Sequence, residues 1–321
     1  MTTITAVRLG KKIGAFLIFK HALGHPYRRG EAALRSLERF AHGRDARSPF
    51  DLEATIRAWL LRKPGRKPVT LANELGAVRQ LCLYLRRCDP AAYVPPVNLA
   101  PQTESHYTPH VFSLEEVRRL IKAAEQHQGR NFWPGMFRML LITTYCTGLR
   151  LGEAVRLQRA DLDQDQRVLH IRESKGRSRD VPFQADLAHE LAHYLREREE
   201  LLRARGRQNE PALFVGLNGR GIAVHGTSCA IRLLLRRLGM KSKAGRYGPR
   251  PYDLRHAFAV HRLTAWYRDG VDLHARLPWL SAYMGHVNVL GTEVYLHATP
   301  ELLEFASDRF AAQFASAGEP S

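Results

Sequence analysis

The chain has 321 residues, of which 45% are hydrophobic, so it is long and apolar enough to fold into two domains. Its 49 Lys and Arg residues outnumber its 31 Asp and Glu residues and give a formal net charge of +18. Folding does not require such an imbalance, but a polyanionic partner would explain it. The composition therefore excludes a largely disordered chain and favours a protein that binds nucleic acid.

No sequence pattern is typical of a membrane protein, a secreted protein or a metal site. The longest apolar run near the start, residues 14–19, is flanked by lysines and is far shorter than a signal core or a membrane span. The four cysteines form no CxxC pair, and the histidines show no ligand spacing. We expect a cytoplasmic protein with reduced thiols, no metal and no cofactor.

Residues 1–88 have the apolar spacing of four amphipathic helices and lack strand-like alternation. The four stripes contain Leu9, Ile13, Phe16 and Leu17; Ala33, Leu34, Leu37 and Phe40; Leu52, Ile56 and Leu60; and Leu71, Leu75, Val78, Cys82 and Leu85. We predict a small helical bundle over residues 1–88. The proline-rich segment 89–109 has no apolar period and is typical of an inter-domain linker.

Residues 110–315 are predicted to form a second, mainly helical domain, followed by a polar tail at 316–321. Ser113 and Glu116 have the spacing of a capping box, which predicts a helix from about residue 114. Further helices are expected at about 184–205, 225–238, 253–268, 274–284 and 300–312. Residues 167–172 and 179–183 alternate as a hairpin with a basic tip, and residues 212–215 predict a third short strand.

Both halves of the chain are basic. Residues 1–107 contain 18 Lys and Arg and 8 Asp and Glu, and residues 108–321 contain 31 and 23. This distribution favours a protein that clamps duplex DNA between two domains over one with a single basic tail.

Four clusters in the second half carry residues suited to phosphate chemistry. They are TGLRLGE at 147–153, with Arg150 and Glu153; the hairpin tip, with Lys175; YDLRH at 252–256, with Tyr252 and Arg255; and the segment from Gly285-His286 to Tyr295 and His297. The glycine turn would hold Arg150 rigidly, and the N-terminus of the helix after residue 252 favours an anion.

Each of these residues also has a purely structural interpretation. Arg150 could be an ion-pair residue, and Lys175 competes with Arg177 and Arg179 at a solvated hairpin tip. His286 could interact with a helix dipole, and Tyr295 could be a half-buried aromatic. The histidines at 256 and 261 could be core residues. The order and separation of the four clusters favour the functional interpretation.

In that order and spacing, TGLRLGE, the lysine hairpin, LRH and MGH followed by YLH resemble the tyrosine recombinase (phage integrase) family. The resemblance covers residues 113–311. It implies a mainly α fold with a small β-hairpin or sheet, in which a helical core-binding (SAM-like) bundle precedes the catalytic domain. The sequences LPWLSAYMGH and YLHATPELL are closer to recombinases of bacterial mobile elements than to chromosome-dimer resolvases.

The resemblance also implies a mechanism without metal or ATP. Tyr295 would attack a DNA phosphodiester and form a 3′-phosphotyrosyl link, while Arg150 and Arg255 neutralise the phosphate. Lys175 would protonate the leaving 5′-oxygen, and His286 would contact the phosphate. Glu153 is expected to fix an arginine or backbone groups, and His297 to support the nucleophile segment.

The position of Tyr252 departs from the family pattern, which usually has a histidine three residues before the second arginine. A phenol is a poor base at neutral pH, although it can donate a hydrogen bond. Two alternatives follow: Tyr252 only contacts phosphate and Tyr295 is deprotonated through His286 or solvent, or cleavage is slow.

The last predicted helix, 300–312, has an apolar stripe of Leu302, Leu303, Ala306 and Phe310. In the family such a helix docks on a neighbouring subunit and builds a homotetramer on two DNA sites, sometimes with partner recombinases. Packing on its own domain is the alternative. Two other functions stay open: a DNA-binding accessory protein of a mobile element that has lost cleavage, and a relaxing enzyme of the type IB topoisomerase kind.

Overall fold

The computed structural model describes residues 3–43, 48–62, 64–101, 109–127, 129, 131–174, 177–245, 247–293 and 295–296. The chain divides into two compact units, Met1–Tyr107 and Thr108–Ser321. Mainly α structure with a small sheet in the second unit, as predicted, is confirmed in the described residues.

The first unit contains four helices, α1 (Ala6–Ala22), α2 (Arg28–His42), α3 (Leu52–Leu61) and α4 (Pro68–Arg86). Two short strands, β1 (Thr3–Ile4) and β2 (Phe50–Asp51), pair antiparallel. The predicted stripes face a common core, where Leu9, Leu34 and Ile56 are fully buried.

The start of the predicted linker packs against this bundle. Ala100 is buried in the first core, Arg86 donates from Nε to the carbonyl oxygen of Ala92 at 3.2 Å, and Arg79 donates to the carbonyl oxygen of Pro95. The limits 1–88, 89–109 and 110–315 stay predictions of the domain organisation.

The helices of the second unit are α5 (Leu114–Glu125), α6 (Pro134–Thr147), α7 (Leu151–Arg156), α8 (Ala185–Ala204), α9 (Val224–Arg237), α10 (Asp253–Arg268), α11 (Leu273–Met284) and α12 (Leu290–Glu293). A three-stranded antiparallel sheet has the order β3 (Leu162–Asp163), β4 (Val168–Ser174) and β5 (Arg177–Pro182). The capping box of Ser113 and Glu116 begins α5 as predicted.

Helix α6 is the central element of the second unit. Met139 and Leu140 pack into a core shared with the sheet and α8, whereas Phe137 and Leu141 pack into a core shared with α5, α9 and α10. A helix that is apolar on several sides is stable only when it is surrounded. The packing therefore fixes the position of its C-terminal end.

The third strand predicted at 212–215 is wrong. Ala212 and Val215 make only isolated bridges, to Gln158 and Gly221. The physical reason is that the carbonyl oxygens of this segment accept hydrogen bonds from a side chain and not from a neighbouring strand. Arg198 donates to the carbonyl oxygens of Ala212 and Leu213. The third strand of the sheet is β3 instead.

Candidate active site

Arg150 lies in the turn between α6 and α7. Helix α6 ends at Thr147 and is capped by Gly148, whose φ of +61° is left-handed and where an added Cβ would collide with the ring of Phe258. The side chain of Arg150 is 17% exposed and donates from Nη1 to Glu153 Oε1 at 2.7 Å. The backbone N–H of Arg150 donates to Glu153 Oε2 at 3.0 Å. One carboxylate thus orients both the backbone and the side chain of this arginine.

Glu153 is shared with a second arginine, Arg179, on strand β5. Its side chain is 1% exposed, and Arg179 Nη2 and Nη1 donate to its two oxygens at 2.9 and 3.3 Å. This geometry agrees with the expectation that Glu153 fixes an arginine. Through Arg179, it also ties the β4–β5 hairpin to the turn that holds Arg150.

Arg255, on the first turn of α10, is completely buried. Its Nη1 donates to the carbonyl oxygen of Gly148 at 2.7 Å and its Nη2 to that of Met284 at 2.6 Å. Burial and the charge of Arg150 lower the pKa of Arg255. Among the described residues it forms no ion pair, and it bonds to the side chain of Tyr295 as well as to these two carbonyl oxygens. Burying a cation without a counter-charge has a considerable cost in folding free energy.

The last turn of α11 brings the three arginines together. The carbonyl oxygens of residues 283, 284 and 285 accept from Arg179 Nε at 2.8 Å, Arg255 Nη2 at 2.6 Å and Arg150 Nη2 at 3.1 Å. These are C-terminal carbonyls of a helix, which carry partial negative charge. Gly285 closes the turn with a φ of +68°, and a Cβ there would lie 2.7 Å from Arg179 Nη1.

Tyr295 is 3% exposed and packs with α10 and α11. Its ring centroid lies 5.2 Å from that of His256 and 6.1 Å from that of His286, whose ring is nearly parallel at 26°. Burial raises the pKa of Tyr295 to about 12, although the charges of Arg255 and Arg150 act in the opposite direction. The phenol is therefore protonated at neutral pH.

Two imidazoles beside Tyr295 are neutral at that pH. Burial, together with Arg255 and Arg150, lowers the pKa of His286 to about 4, and burial also lowers the pKa of His256. Nδ1 of His286 lies 2.7 Å from Oγ1 of Thr292. The 41% exposed Tyr252 places its ring 4.9 Å from that of His256. A cationic pocket thus contains a protonated phenol and two imidazoles able to accept or donate a proton.

The structure brings most of the predicted site residues together: Arg150, Glu153, Tyr252, Arg255, His286 and Tyr295. Lys175 and His297 lie outside the described residues. By contrast, the other candidate core histidine, His261, bonds Tyr145, with 2.8 Å between its Nδ1 and the phenol oxygen.

Three residues of the pocket did not emerge from the sequence as site residues. Strand alternation could have identified Arg179, because it lies two residues before the buried Val181 and opposite Ile171. The sequence favours a packing role for His256, whereas its ring neighbours in the structure are Tyr252 and Tyr295. Thr292 gives no signal that spacing could have revealed.

The described part of the chain has neither a metal-binding cluster nor a membrane-spanning helix. No three His, Cys, Asp or Glu side chains there are grouped so as to hold a metal ion. None of the helices described above is both long and apolar enough to span a membrane.

Comparison with known proteins places this site in a family context. The phage integrase family matches residues 110–301. The chain is 33% identical, over 92% of its length and 94% of the relative's, to y4rB of Sinorhizobium fredii, which carries the name integrase/recombinase. It is 27% identical to the tyrosine recombinase XerC of Staphylococcus saprophyticus, covering 74% of this chain and 73% of that one.

Two solved structures share the fold. The Tn1549 transposon integrase in complex with transposon right end DNA has a TM-score of 0.67 at 16% identity, covering 96% of this chain and all of that one. The XerH recombinase bound to a palindromic difH substrate has a TM-score of 0.64 at 18% identity, covering 96% and 85%.

Proposed function

The chain belongs to the phage integrase family of tyrosine recombinases, and from this premise we propose that it is a site-specific recombinase of a mobile element, acting on duplex DNA through Tyr295. The Tyr295 oxygen attacks the scissile phosphorus, the bond to the 5′-oxygen breaks, and a 3′-phosphotyrosyl link forms. The phenol loses its proton and the 5′-oxygen gains one. Because the link retains the energy of the phosphodiester, rejoining to another strand needs no ATP. The arginines neutralise the charge of the phosphate, a role that a metal ion would otherwise have.

The observation that carries the proposal is the pairing of Arg255 with Arg150 beside Tyr295. A fully buried guanidinium that has no ion-pair partner among the described residues is costly, and a chain under selection for stability alone would replace it with an apolar residue. Two planar cations at one position suit the equatorial oxygens of a pentacoordinate phosphate, where negative charge develops. The electrostatic stabilisation by the two arginines is therefore greater in the transition state than in the ground state.

The proton of Tyr295 needs an acceptor, because burial keeps the phenol protonated. Neutral His256 and His286 both border its ring, and solvent is the third acceptor. Tyr252, at the position of the family's usual histidine, contributes a hydrogen-bond donor.

Lys175 is proposed as the general acid for the 5′-oxygen, with Arg179 anchoring its hairpin to Glu153. His297 is proposed to support the nucleophile segment. The excess of basic residues in both units supports contacts of each with the DNA backbone. We further propose a homotetramer on two DNA sites, built through the C-terminal helix, with partner recombinases in some reactions.

The test is a suicide-substrate assay with nicked duplexes tiled across the DNA that flanks the gene. A covalent adduct should appear on a denaturing gel, peptide mapping should place it on Tyr295, and Tyr295→Phe should abolish it while binding stays within about twofold. An adduct on another residue would overturn the assignment of the nucleophile. Tight binding to the same DNA without any adduct would instead favour the accessory-protein function. Relaxation of supercoiled DNA that needs no second site would favour a topoisomerase.

A further inference from the structure

His286 has a single ring proton at neutral pH, and the position of that proton decides what the side chain can do. Its pKa of about 4 keeps the ring uncharged. A neutral imidazole carries one N–H, on either Nδ1 or Nε2, and the other nitrogen is an acceptor. Only the nitrogen that bears the proton can donate to an anionic phosphate oxygen.

The Thr292 hydroxyl is the contact of His286 that sets this choice. Thr292 is completely buried on α12, and its Oγ1 lies 2.7 Å from His286 Nδ1. The backbone N–H of Thr292 is used separately, on the carbonyl oxygen of Val289 at 2.7 Å. Within the described residues, the hydroxyl has no partner besides His286.

Counting donors then fixes the direction of the hydrogen bond. If Nδ1 carried the proton and donated to Oγ1, the hydroxyl hydrogen would be left without an acceptor in a buried position, which costs about 1–3 kcal/mol. If the hydroxyl donates to Nδ1, that hydrogen is satisfied and Nδ1 uses its lone pair. The second arrangement requires the ring proton to be on Nε2.

We propose that Thr292 is a positioning residue that holds His286 as its Nε2–H tautomer, so that Nε2 donates to the phosphate oxygen during attack by Tyr295. This inference rests on the proposed function of the site. The same bond fixes the ring plane of His286 nearly parallel to that of Tyr295. It also makes His286 a donor rather than a base, which leaves His256 or solvent to take the phenol proton.

Two variants separate the hydroxyl of Thr292 from its shape. Thr292→Val keeps the branched side chain without the hydroxyl, and cleavage of a nicked substrate should fall by about tenfold or more while DNA affinity stays within about twofold. Thr292→Ser restores the hydroxyl and should bring cleavage to within about threefold of the wild type. Thr227→Val is the matched control, because it removes a buried threonine hydroxyl that lies outside the pocket and donates to the carbonyl oxygen of Ala223, the residue before α9.

The tautomer itself is read from two-bond proton–nitrogen NMR correlations of the full-length protein labelled with ¹⁵N-histidine, with His286 assigned from the His286→Gln spectrum. The wild type and Thr292→Ser should show the Nε2–H pattern, and Thr292→Val should show a substantial Nδ1–H fraction. An Nδ1–H pattern in the wild type, or a purely Nε2–H pattern in Thr292→Val, would overturn the inference. The NMR measurement needs no DNA, so its result does not depend on cleavage activity. A failure of this inference can therefore be distinguished from a failure of the proposed function, in which the wild type would form no adduct.

Discussion

Glu153→Gln tests whether the buried carboxylate stabilises the pocket. Glu153 accepts four hydrogen bonds from two arginines at 2.7–3.3 Å, and its side chain is 1% exposed. Glutamine keeps one acceptor oxygen but turns an NH₂ group towards guanidinium donors. Removing one partner of a buried ion pair costs about 3–5 kcal/mol, and the partial exposure of Arg150 and Arg179, 17% and 10%, favours the lower end.

The assay is urea unfolding of the full chain followed by tryptophan fluorescence, which reports mainly on residues 108–321 because they contain Trp133, Trp266 and Trp279. With an m value of about 2–3 kcal/mol per molar urea, a loss of about 3 kcal/mol lowers the midpoint by about 1 M. The matched control is Glu197→Gln, whose exposed pair with His193 on α8 contributes less than about 0.5 kcal/mol. Equal midpoints for the two variants would refute the reasoning.

The other predictions concern chemistry, binding and pH. Arg150→Ala should lower the single-turnover cleavage rate by about 10²–10³-fold and DNA affinity by less than about tenfold, and equal losses in both would remove its transition-state role. Tyr252→His should raise the cleavage rate at pH 7–8 by about tenfold, measured as a pH profile, because imidazole is the better base; an unchanged rate would show that this position only contacts phosphate. The logarithm of the DNA association constant should fall with that of salt concentration with a slope of about −6 or steeper, and a flat response would deny contacts from both units. The free energy of unfolding should fall as the pH drops from about 6.5 to about 4, because His286 is protonated at a higher pH in the unfolded chain than in the folded one. His286→Gln should show a smaller decrease. Identical slopes of unfolding free energy against pH for the two proteins would contradict the lowered pKa of His286.

Local signals explain why the helices could be predicted. Helix α10 has the predicted bounds, and α8 differs from its prediction by one residue at each end. Apolar periodicity and capping residues act within a few positions of the chain, so a linear sequence contains them. The segment 212–215 failed because its carbonyls bond to Arg198, whose contribution depends on tertiary packing.

The candidate site likewise combines residues that the sequence reveals with contacts that depend on the tertiary structure. The residue types of Arg150, Arg255 and Tyr295 and their spacing select them as candidates, and the structure places the three side chains in one pocket. The acceptors that hold the arginines are main-chain carbonyls, which every residue possesses, so no sequence pattern marks them. Arg179 meets Glu153 only because the hairpin folds against α7 and α11.

Anchoring three arginines on consecutive carbonyls at 283–285 has a consequence for how this chain tolerates mutation. The acceptor oxygens at Tyr283 and Met284 belong to the main chain, so a side-chain substitution that preserves the packing there still leaves all three guanidiniums oriented. Gly285 is different, because its left-handed backbone shapes the turn and a side chain would strike Arg179. One mutation at that glycine would displace all three arginines together with the adjoining His286. The backbone conformation of this turn therefore limits which mutations the pocket tolerates.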